Sequence, residues 1–350
     1  MSIFRCCLPQ RPPYAGAVLS IKPIRRVLRH LMTQECFQMN INRFKEFEAY
    51  AAAVIHADLR LMLPRLDEPR WEVATQSVGS IDFQFGKEGS GIIAEGAVHQ
   101  GGHTLFVPIA GQQLGNGQPL HDQLVLVLDP GAELTIASQV AHDWCSVSLP
   151  SDLFKQDTAC RADPRMTRPC SQVIDIGNEA MTRLRRLLVR LDHSLRVEPT
   201  LAISPAAQKS VQADLLAACR PIVARYAAPR PTMGRPSYPR CEIIRRTIAK
   251  IEQHEDEFLS IEDLTLVADV SERTLRNIFL EYYGLPPRRF LTVHRLHQVR
   301  ATLQNADHEC GRVTAIAAQF GFWHFGRFAN EYHRLFGELP SNTLDRLAKR

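Results

Sequence analysis

Hydrophobic positions change their spacing twice along this chain, and the changes divide it. Over residues 42–56, Phe44, Phe47, Ala51 and Val54 recur every three or four positions, the period of an amphipathic helix. The period then falls to two. Leu59, Leu61 and Leu63 alternate with Asp58, Arg60 and Met62, and Ile81, Phe83 and Phe85 with Asp82 and Gln84. Further strands are predicted at 92–98, 104–109, 123–128, 134–137 and 147–149. Gly86, Gly89, Gly91, Gly101, Gly102, the Gly115-Asn116-Gly117 turn and Pro130-Gly131 punctuate them. Many short strands at near-regular spacing predict a barrel or a two-sheet jelly roll. After Leu149 the period is helical again. Met181, Leu184, Leu187, Leu188 and Leu191 share a face within 178–195, and Val211, Leu215, Ala218 and Ile222 share one in a segment that Ser204-Pro205 starts. Pro221 is expected to kink or end that second helix.

The last hundred residues repeat one layout. Over 260–287, Ser260 and Asp263 form a capping-box-like start, and Ile261, Leu264, Val267 and Ala268 line the first helix. Asp269 takes the turn, and Ser271 caps a second helix with Leu275, Ile278, Phe279 and Tyr282 inward. Over 313–340, Ile316, Ala317 and Phe320 precede a sharp turn at Gly321. A helix then runs from about His324 to Phe336 with Phe325, Phe328, Tyr332 and Phe336 on one side. Trp323, at the turn, is expected to pack between helices. The opposite sides carry Glu272, Arg273, Arg276 and Asn277 in the first copy and His324, Arg327, Asn330, Glu331 and Arg334 in the second, groups able to pair with base edges and phosphates. Between the copies, 288–304 reads as one helix with Phe290, Val293, Leu296, Val299 and Leu303 inward, a strut about 25 Å long at about 1.5 Å per residue.

These residues resemble the AraC/XylS transcription regulators over roughly 261–343. The resemblance rests on the Gly321-Phe322 turn, the Arg327-Phe328 pair, Phe336-Gly337 followed by Pro340, and the Tyr283-Gly284-Leu285-Pro286-Pro287 element before the strut. Thr265 stands where the family has a small Ala and Asp269 where it has Gly; Asp tolerates left-handed backbone better than most residues, so the turn can survive. The resemblance implies an α+β protein: an N-terminal cupin-like β-barrel or jelly roll with flanking helices, and an all-α C-terminal domain of two helix-turn-helix units joined by a long helix. It also implies double-stranded DNA as partner, read by Glu272, Arg273, Arg276, Asn277, His324, Arg327, Asn330 and Arg334. A small-molecule effector in the N-terminal domain, a homodimer built through the helices of 178–226, RNA polymerase as a partner of an activator, and a cytoplasmic place of action follow from the same likeness.

Composition agrees with folded domains. The chain has 350 residues, 45% of them hydrophobic, enough for two cores. No apolar run is long enough to span a bilayer, which argues against a membrane partner. The net charge of +5 is weak support for nucleic acid, but its placement is informative. Between Ser271 and Phe336 nine arginines face five acidic residues with no lysine, and arginine suits bidentate recognition. Residues 1–41 form a basic, Pro-broken stretch read as a disordered tail, with Met32 an alternative start; 42–227 form the sensing domain, 228–239 a Pro-rich linker and 240–345 the DNA-binding domain. Nine scattered cysteines without CxxC spacing read as reduced thiols. His99, His103, His121 and His142 lack the tight HxH and carboxylate spacing of a barrel metal site, so no metal or other cofactor is expected. There is no GxSxG elbow and no phosphate-binding glycine loop, so an enzyme is not expected either; a cupin enzyme with an added DNA module, and a constitutive binder whose barrel only assembles subunits, are the rival readings.

Overall fold

The computed structural model describes residues 40–152, 169–197, 205–227, 240–254, 259–306 and 313–345. The tail predicted up to residue 41, apart from its last two residues, and the linker at 228–239 lie outside them.

Two antiparallel sheets form the N-terminal part. The larger has the order β1 (Asn40–Phe44), β3 (Trp71–Val78), β4 (Ile81–Glu88), β11 (His142–Leu149), β6 (His103–Ala110), β9 (Leu124–Leu128), β12 (Ser171–Asp175). The smaller has the order β2 (Ala57–Met62), β5 (Ile93–Val98), β10 (Glu133–Ala137), β7 (Gln113–Gly115), β8 (Gln118–Leu120). Neither sheet closes on itself, so of the two predicted forms the closed barrel is excluded and the two-sheet arrangement stands.

The large sheet is covered on both faces. Val73, Phe106, Leu126, Leu128 and Trp144 pack inward with Ile93, Val98 and Ile136 of the small sheet. Alternate residues such as Phe83, Phe85, Val107, Val125 and Val147 point outward, against Met181, Leu184 and Leu188 of α2 (Asn178–Val197) and Leu215, Ala218 and Ile222 of α3 (Pro205–Ala227). Burial on both faces explains why β9 is a continuous apolar run, Leu124-Val125-Leu126-Val127-Leu128, instead of an alternating one. It also explains the strand that periodicity did not reveal. β3 contains Glu72, Ala74 and Gln76, residues of low strand propensity, yet all three are buried between β1 and β4.

Other expectations are corrected. Asn42 to Phe44 belong to edge strand β1, paired with Trp71 to Val73, and only α1 (Phe47–Ala53) is helical; its inward set is Phe47 and Tyr50, followed by Val54. The chain after Leu149 is not purely helical, since β12 pairs with β9 before α2 begins. Pro221 does not end α3, which continues to Ala227. The Gly115-Asn116-Gly117 turn is as expected: Asn116 and Gly117 take positive φ of 48° and 79° between the paired β7 and β8, the primed geometry that matches strand twist.

The C-terminal part is helical: α4 (Arg240–Gln253), α5 (Ile261–Ala268), α6 (Glu272–Tyr283), α7 (Pro287–Asn305), α8 (Val313–Gln319), α9 (Phe325–Phe336) and α10 (Pro340–Asp345). Its apolar core is continuous with that between the sheets.

Candidate nucleic-acid interface

In the first helical pair the local rules hold together. Ser260 and Asp263 complete a reciprocal capping box on α5, and the Ser271 side chain accepts from the Thr274 N–H at the start of α6. Asp269 closes α5 at φ 54° and ψ 47°, with its own N–H and that of Val270 satisfying carbonyls of the last turn. The turn therefore keeps left-handed geometry without glycine. Leu275, Ile278, Phe279 and Tyr282 are buried, which leaves Glu272, Arg273, Arg276 and Asn277 exposed on the other face.

The second pair turns at Gly321, φ 80°, and α9 buries Phe328, Tyr332 and Leu335. Tyr332 bonds Thr343 Oγ1 at 2.8 Å, tying α9 to α10. His324, Arg327, Asn330 and Arg334 are exposed, and Arg327 Nε stands 2.9 Å from Glu331 Oε1 one turn on. All eight predicted contact residues thus lie on solvent-facing sides, four on α6 and four at or within α9. Two aromatic expectations fail. Phe325 is 41% exposed and Leu335 takes the inward place; Trp323 is 71% exposed, not packed between helices. The two rings flank exposed His324, Trp323 in the turn and Phe325 at the first position of α9, while Phe328, one turn on, is buried against Phe322.

The strut, α7, spans about 28 Å at about 1.5 Å per residue over its 19 residues. It carries the joints to the sheets. Arg300, counted among the basic residues in the sequence, is buried: its guanidinium meets Glu48 at 2.8 Å, Glu338 at 2.5 Å and Glu46 at 3.5 Å, and lies 4.7 Å from the Phe336 ring. His297 Nε2 accepts from the Leu63 N–H at 2.9 Å, with its ring between Phe47 and Phe336. Burial holds its pKa down at about 4 and that of His294 at about 3. At the far end of α6, the buried Tyr283 hydroxyl donates to Glu95 at 2.5 Å, Arg60 bridges Glu95 and Glu252 at 3.1 Å each, and Gln139 donates to the Tyr283 carbonyl at 2.8 Å. Burial raises the Glu95 carboxyl above its usual range despite Arg60.

A second polar cluster lies between the sheets. Glu88 accepts from the Tyr50 hydroxyl and, at 2.9 Å, from the Trp144 indole N–H; its other oxygen stands 3.0 Å from His142 Nε2. The main β-sheet pattern concealed this group, since Glu88 and His142 sit at strand ends and meet only through the β4–β11 register. Gly86 makes room for the indole: a Cβ there would stand 2.1 Å from the Trp144 ring. Gly86→Ala is expected to cost about 1–3 kcal/mol through overpacking and to alter Trp144 fluorescence, checked against a Trp144→Phe background. The other histidines do not gather. His99 meets Asp58, His103 meets Asp129, and His121 is exposed; among the described residues no set of three or more His, Cys, Asp or Glu could hold a metal. Nor, among them, is any helix long and apolar enough to cross a membrane.

Comparison with known proteins concentrates on this half. Residues 264–346 match the family described as a helix-turn-helix domain. The XylDLEGF operon transcriptional activator of Pseudomonas putida is 35% identical over 116 residues, 33% of this chain and 34% of that protein. The probable thc operon regulatory protein of Rhodococcus erythropolis is 31% identical over 171 residues, 48% of this chain and 49% of that protein. The chain thus matches between about a third and a half of the length of these relatives. Among solved structures, the AraC-like transcriptional activator CuxR is similar at 14% identity and a TM-score of 0.40, covering 75% of this chain and 96% of that one.

Proposed function

We propose, from the premise that this chain belongs through its C-terminal domain to the AraC/XylS regulators, that it binds specific DNA sequences and activates transcription. The observation that carries this reading is the pairing of two reading helices, α6 and α9, each with its apolar side locked in one core and its polar side facing solvent. Glu272, Arg273, Arg276 and Asn277 would contact one major-groove segment, and His324, Arg327, Asn330 and Arg334 the next, about 34 Å along the duplex. Residues 42–227 would sense a small molecule, α2 and α3 would pair two subunits beyond covering the sheet, and the DNA-bound protein would meet RNA polymerase in the cytoplasm. No catalysis is part of this reading.

Arg327 and Arg276 are the arginines expected to read guanine edges, since each lies early in an exposed helix face. Gel-shift titration should show Arg327→Ala weakening binding to a selected operator by roughly 5–150-fold, the equivalent of about 1–3 kcal/mol, while random DNA is bound nearly as well as before. Equal loss on both would place Arg327 on phosphates instead. Failure of the intact protein to prefer any genomic fragment over random duplex would overturn the assignment as a sequence-specific regulator.

A further inference from the structure

Folding alone does not account for the residues that open α9. Trp323 and Phe325 are exposed on either side of exposed His324, and Gly326 follows. The inward place in this turn is filled by Phe322, whose ring packs on that of Phe328 with centroids 5.1 Å apart. Capping does not explain them either: His324 occupies the N-cap position with no side-chain hydrogen bond, where Ser271 caps α6 in the first unit. Glycine weakens a helix relative to alanine, yet a Cβ at Gly326 would meet nothing within 4 Å, so no crowding inside the fold calls for glycine there. Two rings kept in water beside a bare first turn form a surface suited to something outside the chain.

We infer that Trp323 and Phe325 read the C5-methyl groups of thymines in the DNA segment that α9 enters. The inference rests on the proposed DNA-binding reading and adds a specificity that the arginines do not supply. Both rings stand at the N-terminal end of α9, directly ahead of Arg327, and that end of a recognition helix meets base edges. Phe325 has no polar atom, so only apolar surface attracts it. In an intact duplex the flat faces of the bases are covered by their neighbours, and among the groups lining the major groove the thymine methyl is the apolar one. Gly326 lets the groove edge come close to the helix backbone.

The first unit has no aromatic pair at that place. Val270 is half-buried, Ser271 is engaged as the cap, and the charged Glu272 and Arg273 follow. The two readers therefore differ in chemistry: α6 offers charge and hydrogen bonds, and α9 adds methyl contact to them. Two contacted segments of unlike sequence follow, with thymines confined to fixed positions in the one beneath α9.

The test uses the full chain and an operator that it selects from random duplexes. Each thymine of the operator is replaced in turn by deoxyuridine, which keeps every hydrogen-bonding group and lacks the methyl. One buried methyl is worth about fourfold in affinity, so uracil is expected to weaken wild-type binding by about that factor at each of one or two positions. Trp323→Ala and Phe325→Ala should bind the thymine operator correspondingly less well and lose the response to uracil at those positions, with an unchanged urea midpoint because both side chains are exposed. Acrylamide quenching gives an independent reading: Trp71 and Trp144 are buried, so the quenchable emission comes mainly from Trp323, and operator DNA should shield it. Uracil without effect at every position overturns the inference, and so does an effect that survives in both alanine variants, since other groups then read the methyl. Equal weakening of the variants on operator and random duplex would move the rings to the sugar-phosphate backbone, and unchanged DNA affinity would leave them to a protein partner; both outcomes sink the methyl contact. Each of these results leaves the regulator reading standing, whereas the absence of any preferred duplex removes that reading and this one together.

Discussion

Replacing Arg300 with methionine is expected to lower the free energy of unfolding by about 3–5 kcal/mol, seen as a fall in the urea midpoint with an unchanged slope. The size follows from burial. The Arg300 side chain is 7% exposed and Glu338 10%, so removing the cation strands a carboxylate in the core beside the partly covered Glu48. It also removes the guanidinium from the Phe336 face. Arg327 gives the contrast within one protein: its pair with Glu331 has the same chemistry, but that guanidinium is 80% exposed, and Arg327→Ala should change stability by less than about 1 kcal/mol. Glu338→Gln combined with Arg300→Met should recover part of the loss, because the stranded charge is then gone. A loss for Arg300→Met no larger than that for Arg327→Ala would mean that the three-carboxylate joint is solvated.

Acidification gives the second large effect. His297 and His294 are held neutral in the fold, at about 4 and about 3, against about 6.5 in an unfolded chain. Below pH 6.5 the unfolded chain takes up protons that the folded one refuses, so stability present at neutral pH is lost as pH falls toward 4. Each histidine contributes a slope of about 1.4 kcal/mol per pH unit in that window. His142 works the other way: burial alone would lower its pKa, yet Glu88 raises it overall, so its contribution is greatest at low pH. The net expectation from pH 7 to pH 5 is a loss of roughly 2–4 kcal/mol. Urea titrations at a series of pH values measure the slope, and His297→Gln should reduce it by about one proton's worth. An unchanged slope in that variant would show that His297 titrates normally in the fold.

The helical half was legible because its signals are local. Ser260, Asp263, Ser271, Asp269 and Gly321 act within a turn or two of their own positions, and each sits where a cap or turn requires it. The exposed faces followed from the buried ones. Much of the sheet region was legible as strands, but not as partners. β3 hid because burial on both sides lets Ala74 and Gln76 stand in a strand, and β12 because its place depends on pairing with β9 over forty residues earlier. The joints could not be read at all. Arg300 with Glu48, His297 with Leu63 and Tyr283 with Glu95 connect residues about 190 to 250 positions apart, and nothing local distinguishes a buried arginine from those that face solvent.

The helix α6 is tied to the small sheet through Tyr283, and α9 is tied to the strut through Phe336 and, just past its end, Glu338. On the proposed DNA-binding reading, helices held in this way leave the duplex to supply the adjustment between a strut of about 28 Å and a groove repeat of about 34 Å. Bending a short site costs on the order of 1–6 kcal/mol, and the cost depends on which base steps are deformed. Preferred operators would therefore carry easily unstacked pyrimidine–purine steps midway between the two contacted segments, at positions no side chain touches.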